Sequence, residues 1–332
     1  MTMLTRSEVA AILGRQDNLY ILTHRRPDGD TVGSAAALCR GLRQLGKNAW
    51  VAENPEISEK YRPFVLGLTK PEPGEEDYIL SVDTASPGML AYAFERFAGQ
   101  IRLTIDHHAS STPTAPQALI DSTAAATGEI ICDLLVELGV KLDKALAEAL
   151  YLAVSTDTGC FRYANTTAHT LAVAAECVAA GADIYPINQA MFETNSLAKL
   201  RLQGWMVENT QFFKEKTVAL CSIPQRVIQE LGATEDDTES ITNFLRNIEG
   251  VCLAATLREV PQGGVKLSVR AVPGFDAGAL CARFGGGGHK GAAGATLYCP
   301  PEEAARRVAE AMLADACHTS VLAPTRARDH TI

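Results

Sequence analysis

Three strand-like segments in the first third of the chain each end in aspartate or histidine, and this repetition constrains the fold more than any other feature. They span residues 18–24, 77–84 and 101–108. Another strand-like segment and three helix-like segments alternate with them, at residues 48–53, 30–46, 126–139 and 143–159. Such alternation predicts an α/β domain with a mostly parallel sheet flanked by helices. Ligands of such sheets bind beyond the carboxyl ends of the strands, so we expect the polar side chains to converge there.

The chain of 332 residues is longer than one ordinary core requires, and the pattern changes after the first 190 or so residues. A helix-like stretch at 191–210 predicts a helical linker. Beyond it, strand-like segments at 212–223, 250–260 and 264–272 and helix-like segments near 225–231, 236–247, 276–284 and 301–315 predict a smaller α+β domain. The predicted boundaries are a catalytic domain at 1–192, a linker at 193–212, a substrate-binding domain at 213–317 and a disordered tail at 318–332. Asp30 and Gly46 are predicted to cap the helix at 30–46, and Pro261-Gln262-Gly263-Gly264 is predicted to form a hairpin turn.

Composition excludes several classes of protein. A membrane span needs about 20 consecutive apolar residues, and no run approaches that length. No signal peptide is recognised at the start of the chain, so a cytoplasmic protein is expected. None of the nine cysteines forms a CxxC pair, which argues against a zinc knuckle. The net charge of −9 argues against coating of long nucleic acids but not against a short anionic substrate.

The first polar cluster combines His24, Asp28 and Asp30 at the end of one strand and the start of one helix. The glycine between the aspartates lets both carboxylates face one point. The same residues also fit an ordinary turn with a helix cap, and Asp83 after the segment 77–82 also fits a cap.

The second polar cluster is Asp106-His107-His108, and two adjacent histidines at a strand end cannot both pack in a core. Asp157 ends a helix-like stretch, where the helix dipole opposes a carboxylate and a cation would compensate it. Taken together, the candidate metal ligands are His24, Asp28, Asp30, Asp83, His107 and Asp157. Two divalent cations would cancel four crowded carboxylates, and mixed imidazole and carboxylate ligands favour Mn²⁺ over Mg²⁺. Such metal pairs suit phosphoester hydrolysis.

The order of these motifs resembles that of the DHH phosphoesterase superfamily. The resemblance implies that His24, Asp28 and Asp83 hold one metal and that Asp30, Asp83, His107 and Asp157 hold the other. Asp83 would then bridge both ions, Asp106 would support the site, and His108 would face the substrate phosphate. Asp83, His107 and His108 are the implied catalytic residues.

The glycine-rich segment FGGGGHKGAAG at 284–294 resembles a motif of the DHH-associated C-terminal domain. It also satisfies GxGxxG, but it follows a helix-like stretch where a dinucleotide-binding fingerprint needs a strand. Glycines there let the backbone approach a phosphate or base, and His289 can donate to a phosphate. The substrate-binding residues predicted for this domain are Ser268, Arg270, Gly286, Gly287, Gly288 and His289.

The resemblance is closest to the nano-RNase branch. It implies hydrolysis of short oligoribonucleotides to mononucleotides, of 3′-phosphoadenosine-5′-phosphate to AMP, or of both. Two Mn²⁺ ions are the expected cofactors, and a homodimer is the expected oligomer. A cyclic di-AMP or linear dinucleotide phosphodiesterase would use the same motifs. A pyrophosphatase fits the nucleotide-type second domain less well. An inactive RNA-binding module predicts loss of ligands, whereas all six are present.

Overall fold

A computed structural model describes residues 1–113, 115–238, 241–260 and 263–318. The chain divides into two compact units, Met1–Thr194 and Asn195–Ile332. Within the described ranges, no helix is long and apolar enough to cross a membrane.

The first unit contains a seven-stranded sheet and seven α-helices among its described residues. The strands are β1 (Thr2–Met3), β2 (Leu19–Leu22), β3 (Ala49–Ala52), β4 (Thr69–Lys70), β5 (Tyr78–Val82), β6 (Leu103–Asp106) and β7 (Gln117–Ile120). The helices are α1 (Arg6–Arg15), α2 (Gly29–Gln44), α3 (Arg62–Val65), α4 (Thr127–Glu137), α5 (Lys144–Asp157), α6 (Ala168–Ala179) and α7 (Ile184–Asn188). Short 3₁₀ helices lie at Pro87–Met89 and Tyr92–Gln100.

All seven strands run parallel, in the order β1-β7-β6-β5-β2-β3-β4. Successive residues of a strand point to opposite faces. Leu19 and Ile21 of β2 therefore pack with the α-helices, whereas Tyr20 and Leu22 pack with Phe94 and other residues of the 3₁₀ segment. Both faces of the sheet are covered, which confirms the predicted α/β class and leaves the carboxyl ends of the strands to form one polar edge.

The second unit contains a mixed six-stranded sheet in the order β12-β13-β11-β10-β9-β8. Its strands are β8 (Gln211–Phe213), β9 (Val218–Ile223), β10 (Leu253–Glu259), β11 (Val265–Ala271), β12 (Gly287–Gly288) and β13 (Ala292–Leu297). Its helices are α8 (Leu197–Asn209), α9 (Gln225–Glu230), α10 (Glu235–Thr238), α11 (Ile241–Arg246), α12 (Ala277–Ala282) and α13 (Pro301–His318). Only β9 and β10 are parallel among the paired strands described, so this unit is α+β as predicted.

Three local predictions were wrong. The N-cap of α2 is Asp28, not Asp30, because the Asp28 side chain accepts the Thr31 N–H. The segment 212–223 forms the antiparallel pair β8 and β9 instead of one strand. The stretch 191–210 is not one helix, because a π-helical turn ends at Glu193 before α8 begins.

Two further predictions fall wholly or partly outside the described residues. These are the turn residues Pro261 and Gln262 and the tail from residue 319 onward. The strands β10 and β11 that flank the turn do pair antiparallel.

Candidate metal centre

Asp83 lies immediately after β5 and is almost completely buried. Its backbone adopts the left-handed region, with φ of 54°, and its N–H donates to the Ile105 carbonyl at 2.9 Å. Aspartate tolerates this region better than most residues do. The conformation turns the carboxylate out of the strand direction and into the polar edge of the sheet.

Asp28 and Asp30 lie at the start of α2, beside the N-terminus of α4. The Asp30 carboxylate accepts the backbone N–H groups of Thr127 at 2.7 Å and Gly128 at 3.0 Å. A Cβ atom on Gly128 would lie 2.5 Å from the Ala153 side chain, and one on Gly33 would lie 2.4 Å from the Ala149 carbonyl oxygen. Glycine at these two positions therefore lets α2, α4 and α5 pack closely, which brings the carboxylates of α2 and α5 toward the N-terminus of α4.

The six predicted ligands form two donor sets that share Asp83. In the first set, His24 Nε2 lies 3.8 Å from Asp28 Oδ1 and 3.5 Å from Asp83 Oδ2. In the second set, His107 Nε2 lies 3.8 Å from Asp30 Oδ2, 3.7 Å from Asp83 Oδ1 and 3.3 Å from Asp157 Oδ2. The two oxygens of Asp83 thus face different histidines.

Backbone carbonyls orient both histidines that are predicted to be ligands. His24 Nδ1 lies 2.7 Å from the Arg25 carbonyl oxygen, and His107 Nδ1 lies 3.3 Å from the Ala124 carbonyl oxygen. A proton on Nδ1 leaves the Nε2 lone pair facing the carboxylates in each ring. A metal-binding histidine requires this arrangement.

Asp106 and His108 form a pair beside the two donor sets. His108 Nδ1 lies 2.7 Å from Asp106 Oδ1, which also accepts the His107 backbone N–H at 2.9 Å. Asp106 is fully buried, whereas the His108 side chain is partly exposed. His108 also lies 3.6 Å from Asp83 Oδ1, so the pair adjoins the shared carboxylate.

The carboxylates are short of positive charge. Burial and the negative charge of Asp83 raise the pKa of Asp30 to about 7. Burial, together with Asp30, Asp28 and Asp83, raises the pKa of Asp157 well above its ordinary value. Asp157 is also the last residue of α5, where the helix dipole opposes its charge.

The imidazoles of His24 and His107 neutralise part of this negative charge. Burial disfavours a charged His24, but the neighbouring carboxylates of Asp28 and Asp83 outweigh burial and raise its pKa well above the ordinary value. The charges of Asp30 and Asp83 likewise outweigh burial and raise the pKa of His107. Histidine and aspartate donors that hold protons in this way fit divalent transition ions, which would replace those protons.

The substrate-binding residues predicted for the second unit lie on β11 and around β12. Ser268 and Arg270 are partly buried on β11, and Arg270 Nε donates to Asn243 Oδ1 at 2.8 Å. Gly287 and His289 are exposed, and nothing lies within 4 Å of a Cβ placed on Gly287.

Gly286 and Gly288 have a role within the unit that the sequence reading did not anticipate. A Cβ on Gly286 would lie 2.1 Å from the Gly294 carbonyl oxygen, and one on Gly288 would lie 2.6 Å from that of Ala292. The close approach that requires glycine at these positions is to β13.

Comparison with known proteins identifies the family. The DHH family N-terminal domain matches residues 18–154, and the DHHA1 domain matches residues 217–315. A Thermus thermophilus protein named bifunctional oligoribonuclease and PAP phosphatase NrnA is 32% identical over 300 residues, covering 89% of each chain. The chain belongs to the DHH family of phosphoesterases.

Other proteins similar to this DHH protein also match it over most of its length. A Bacillus subtilis protein of the same name is 27% identical and covers 88% of this chain and 93% of its own. The crystal structure of an exopolyphosphatase-related protein from Bacteroides fragilis superposes with a TM-score of 0.81 at 25% identity, covering 94% and 96% of the two chains. Members of the family are metal-dependent hydrolases, as predicted, and candidate acidic and histidine metal sites are present in this chain.

Sequence reasoning missed the polar groups that hold the predicted ligands of this DHH protein in place. Ser34 Oγ donates to Asp30 at 3.0 Å, and the Thr31 and Thr127 hydroxyls donate to Asp83. Serine and threonine are common at helix starts, so nothing in the sequence pattern distinguishes these residues.

Proposed function

We propose that this protein hydrolyses short oligoribonucleotides to mononucleotides and 3′-phosphoadenosine-5′-phosphate to AMP, with two Mn²⁺ ions. The observation that carries the proposal is the Asp83 carboxylate, whose oxygens face two separate donor sets. The names of the Thermus and Bacillus relatives, which this chain matches over most of its length, support the choice of substrates.

His24, Asp28 and Asp83 would hold one cation, and Asp30, Asp83, His107 and Asp157 the other. When bound, two such cations supply a water of lowered pKa and stabilise the departing oxygen in phosphoester hydrolysis. The protein contributes buried carboxylates at fixed positions, so little reorganisation accompanies the reaction. The mixed donor set favours Mn²⁺ or a similar transition ion.

His108 is suited to bind the substrate phosphate as a donor. Burial disfavours its charged form, but the Asp106 hydrogen bond and the charges of Asp83 and Asp106 outweigh burial and raise the pKa of His108. The raised pKa favours the doubly protonated ring, in which Nδ1 donates to Asp106 and Nε2 carries the second proton. A phosphate oxygen can accept that proton in a charge-assisted hydrogen bond.

The second unit would bind the nucleotide through Ser268, Arg270, His289 and the exposed backbone of Gly287. Asn243 holds the Arg270 guanidinium from one side. A planar guanidinium suits a phosphate because it can donate two parallel hydrogen bonds. The net charge of −9 favours a short substrate, because extended RNA requires a broad basic surface.

A substrate panel tests the proposal. The purified protein would be assayed with Mn²⁺ against a short oligoribonucleotide, a linear dinucleotide, 3′-phosphoadenosine-5′-phosphate, cyclic di-AMP and pyrophosphate. We expect the first three to be hydrolysed fastest and the activity to be lost with chelator. Fastest opening of cyclic di-AMP would favour the cyclic dinucleotide phosphodiesterase instead, and fastest hydrolysis of pyrophosphate would overturn the nucleotide assignment.

Matched histidine variants link that activity to the site. His107→Asn should abolish hydrolysis of every substrate in the panel. His169→Asn should not, because His169 is an exposed residue of α6 that pairs with Asp133. The homodimer remains a prediction, and light scattering of the same sample would test it.

A further inference from the structure

Two buried hydroxyl groups hold the Asp83 carboxylate, one on each oxygen. Thr31 Oγ1 donates to Asp83 Oδ2 at 2.5 Å, and Thr127 Oγ1 donates to Asp83 Oδ1 at 3.0 Å. Both threonines are fully buried, and Asp83 is 2% exposed. The two donors come from α2 and α4, so the carboxylate is fixed from two directions.

Each hydroxyl lies on the oxygen that belongs to one donor set. Asp83 Oδ2, which accepts from Thr31, lies 3.5 Å from His24 Nε2. Asp83 Oδ1, which accepts from Thr127, lies 3.7 Å from His107 Nε2. A carboxylate oxygen has two lone pairs, so an oxygen that accepts one hydroxyl hydrogen retains a lone pair for a cation. Rotation of the carboxylate about Cβ–Cγ would break both hydrogen bonds.

We propose that Thr31 and Thr127 are positioning residues that direct one Asp83 oxygen to each cation. Thr31 serves the set of His24 and Asp28, and Thr127 serves the set of Asp30, His107 and Asp157. This inference rests on the proposed two-cation site and adds which hydroxyl supports which cation. Neither threonine is itself a ligand or a catalytic residue.

The backbone contacts of the two threonines can be separated from their hydroxyls. The Thr31 N–H donates to Asp28 Oδ1 at 3.1 Å, and the Thr127 N–H donates to Asp30 Oδ2 at 2.7 Å. Valine keeps these N–H groups and the branched shape, so Thr→Val removes only the hydroxyl. Thr31 Oγ1 also lies 3.2 Å from Asp28 Oδ1, but Asp83 Oδ2, at 2.5 Å, is the nearer acceptor for its single hydrogen.

Calorimetric titration of the full chain with Mn²⁺ tests the assignment. His24→Ala removes a ligand of the first site and leaves the second to be measured, and His107→Ala does the reverse. In the His107→Ala background, Thr31→Val should weaken the remaining Mn²⁺ site about 10–100-fold, as is usual for residues that orient ligands. Thr127→Val should weaken the site that remains in the His24→Ala background by a similar factor. In each background the other valine variant should have little effect.

Two controls exclude a general loss of structure. Thr31→Ser and Thr127→Ser keep the hydroxyl and should restore the affinity. Thr104→Val removes another buried hydroxyl, which contacts Ser81 Oγ at 2.9 Å and no predicted ligand, and should leave both affinities unchanged. Melting of the metal-free variants would show that each is folded.

The outcomes separate this inference from the proposed function. A wild-type protein that binds fewer than two Mn²⁺ ions would overturn the two-cation site itself. If the wild type binds two ions but each valine variant weakens both sites equally, or neither, only the assignment of the threonines is overturned. If either alanine variant binds no Mn²⁺, the valine substitutions are made in the wild type, which has two Mn²⁺ dissociation constants. The inference then requires Thr31→Val to raise one of these constants and Thr127→Val to raise the other.

Discussion

Asp157→Asn should have opposite effects on stability with and without metal. In the metal-free protein the Asp157 carboxylate is opposed by burial, by the end of α5 and by the carboxylates of Asp30, Asp28 and Asp83. Together these outweigh its contact with His107 at 3.3 Å, because the pKa of Asp157 is raised. The helix dipole alone accounts for about 0.3–1 kcal/mol. With the added repulsion we expect the neutral amide to stabilise the metal-free protein by about 1–2 kcal/mol, a typical size for a single substitution. In a unit of this size that corresponds to a rise in Tm of about 2–8 °C.

Mn²⁺ should reverse this order. A cation at 100 times its Kd stabilises the folded state by about 2.7 kcal/mol. The wild type should gain this stabilisation, whereas Asp157→Asn loses a charged ligand and should gain less. The variant is therefore expected to melt above the wild type in chelator and below it in saturating Mn²⁺.

The pH dependence of the metal-free comparison has a fixed sign. The folded-state pKa of Asp157 is raised, so the stability that it costs is absent near pH 4 and appears as the pH rises toward the folded-state pKa. The advantage of Asp157→Asn in chelator should therefore be present at pH 8 and shrink toward pH 4.

Scanning calorimetry with chelator or Mn²⁺ measures both effects. Asp183→Asn is the control, because it changes the net charge by the same amount as Asp157→Asn. Asp183 is exposed, and its side chain makes no capping hydrogen bond to α7. An Asp157→Asn protein that melts below the wild type in chelator would refute the claim that the carboxylates are crowded without metal. Equal stabilisation of both proteins by Mn²⁺ would refute Asp157 as a ligand.

Three other predictions concern the same site and the second unit. Asp83→Asn should abolish hydrolysis yet leave the metal-free fold intact, because asparagine also tolerates the left-handed backbone at that position; circular dichroism and the substrate panel check this. Mn²⁺ affinity should fall as the pH decreases below about 7, by about tenfold per pH unit for the proton that Asp30 must lose and more steeply where the other ligands also lose protons; calorimetry at several pH values measures it, and an affinity that does not change from pH 5 to 8 would contradict the assignment. Arg270→Ala should raise KM more than it lowers kcat, and an unchanged KM would make the arginine structural.

The convergence of the metal ligands could be predicted because it follows from sheet geometry. The carboxyl ends of parallel strands share one edge, so His24, Asp83 and His107 had to lie close together once the strands were recognised. The division of the ligands between two cations did not follow from spacing and came from the family resemblance. The distances around Asp83 agree with that division and leave the metals to be observed.

Features set by single contacts could not be predicted. Asp28 and Asp30 are equally good caps by residue type, and the direction of one carboxylate decides between them. The turn between β8 and β9 uses Lys214, Glu215 and Lys216, all with positive φ, where glycine or asparagine is usual. Because neither glycine nor asparagine occurs in this turn, the sequence predicts one continuous strand for the segment.

The glycine-rich segment shows a different limit. Gly286 and Gly288 predict close approach of the backbone to some partner, and that much is correct. The residue type does not say whether the partner is a ligand or another part of the chain. Both glycines approach β13, whereas nothing lies within 4 Å of a Cβ placed on the exposed Gly287.

Anomalous diffraction at the manganese edge, from crystals of this protein grown with Mn²⁺, tests the two-cation site most directly. We predict two peaks on either side of Asp83, one contacted by His24 and Asp28 and the other by Asp30, His107 and Asp157. A single peak, or two peaks that do not share Asp83, would contradict the account.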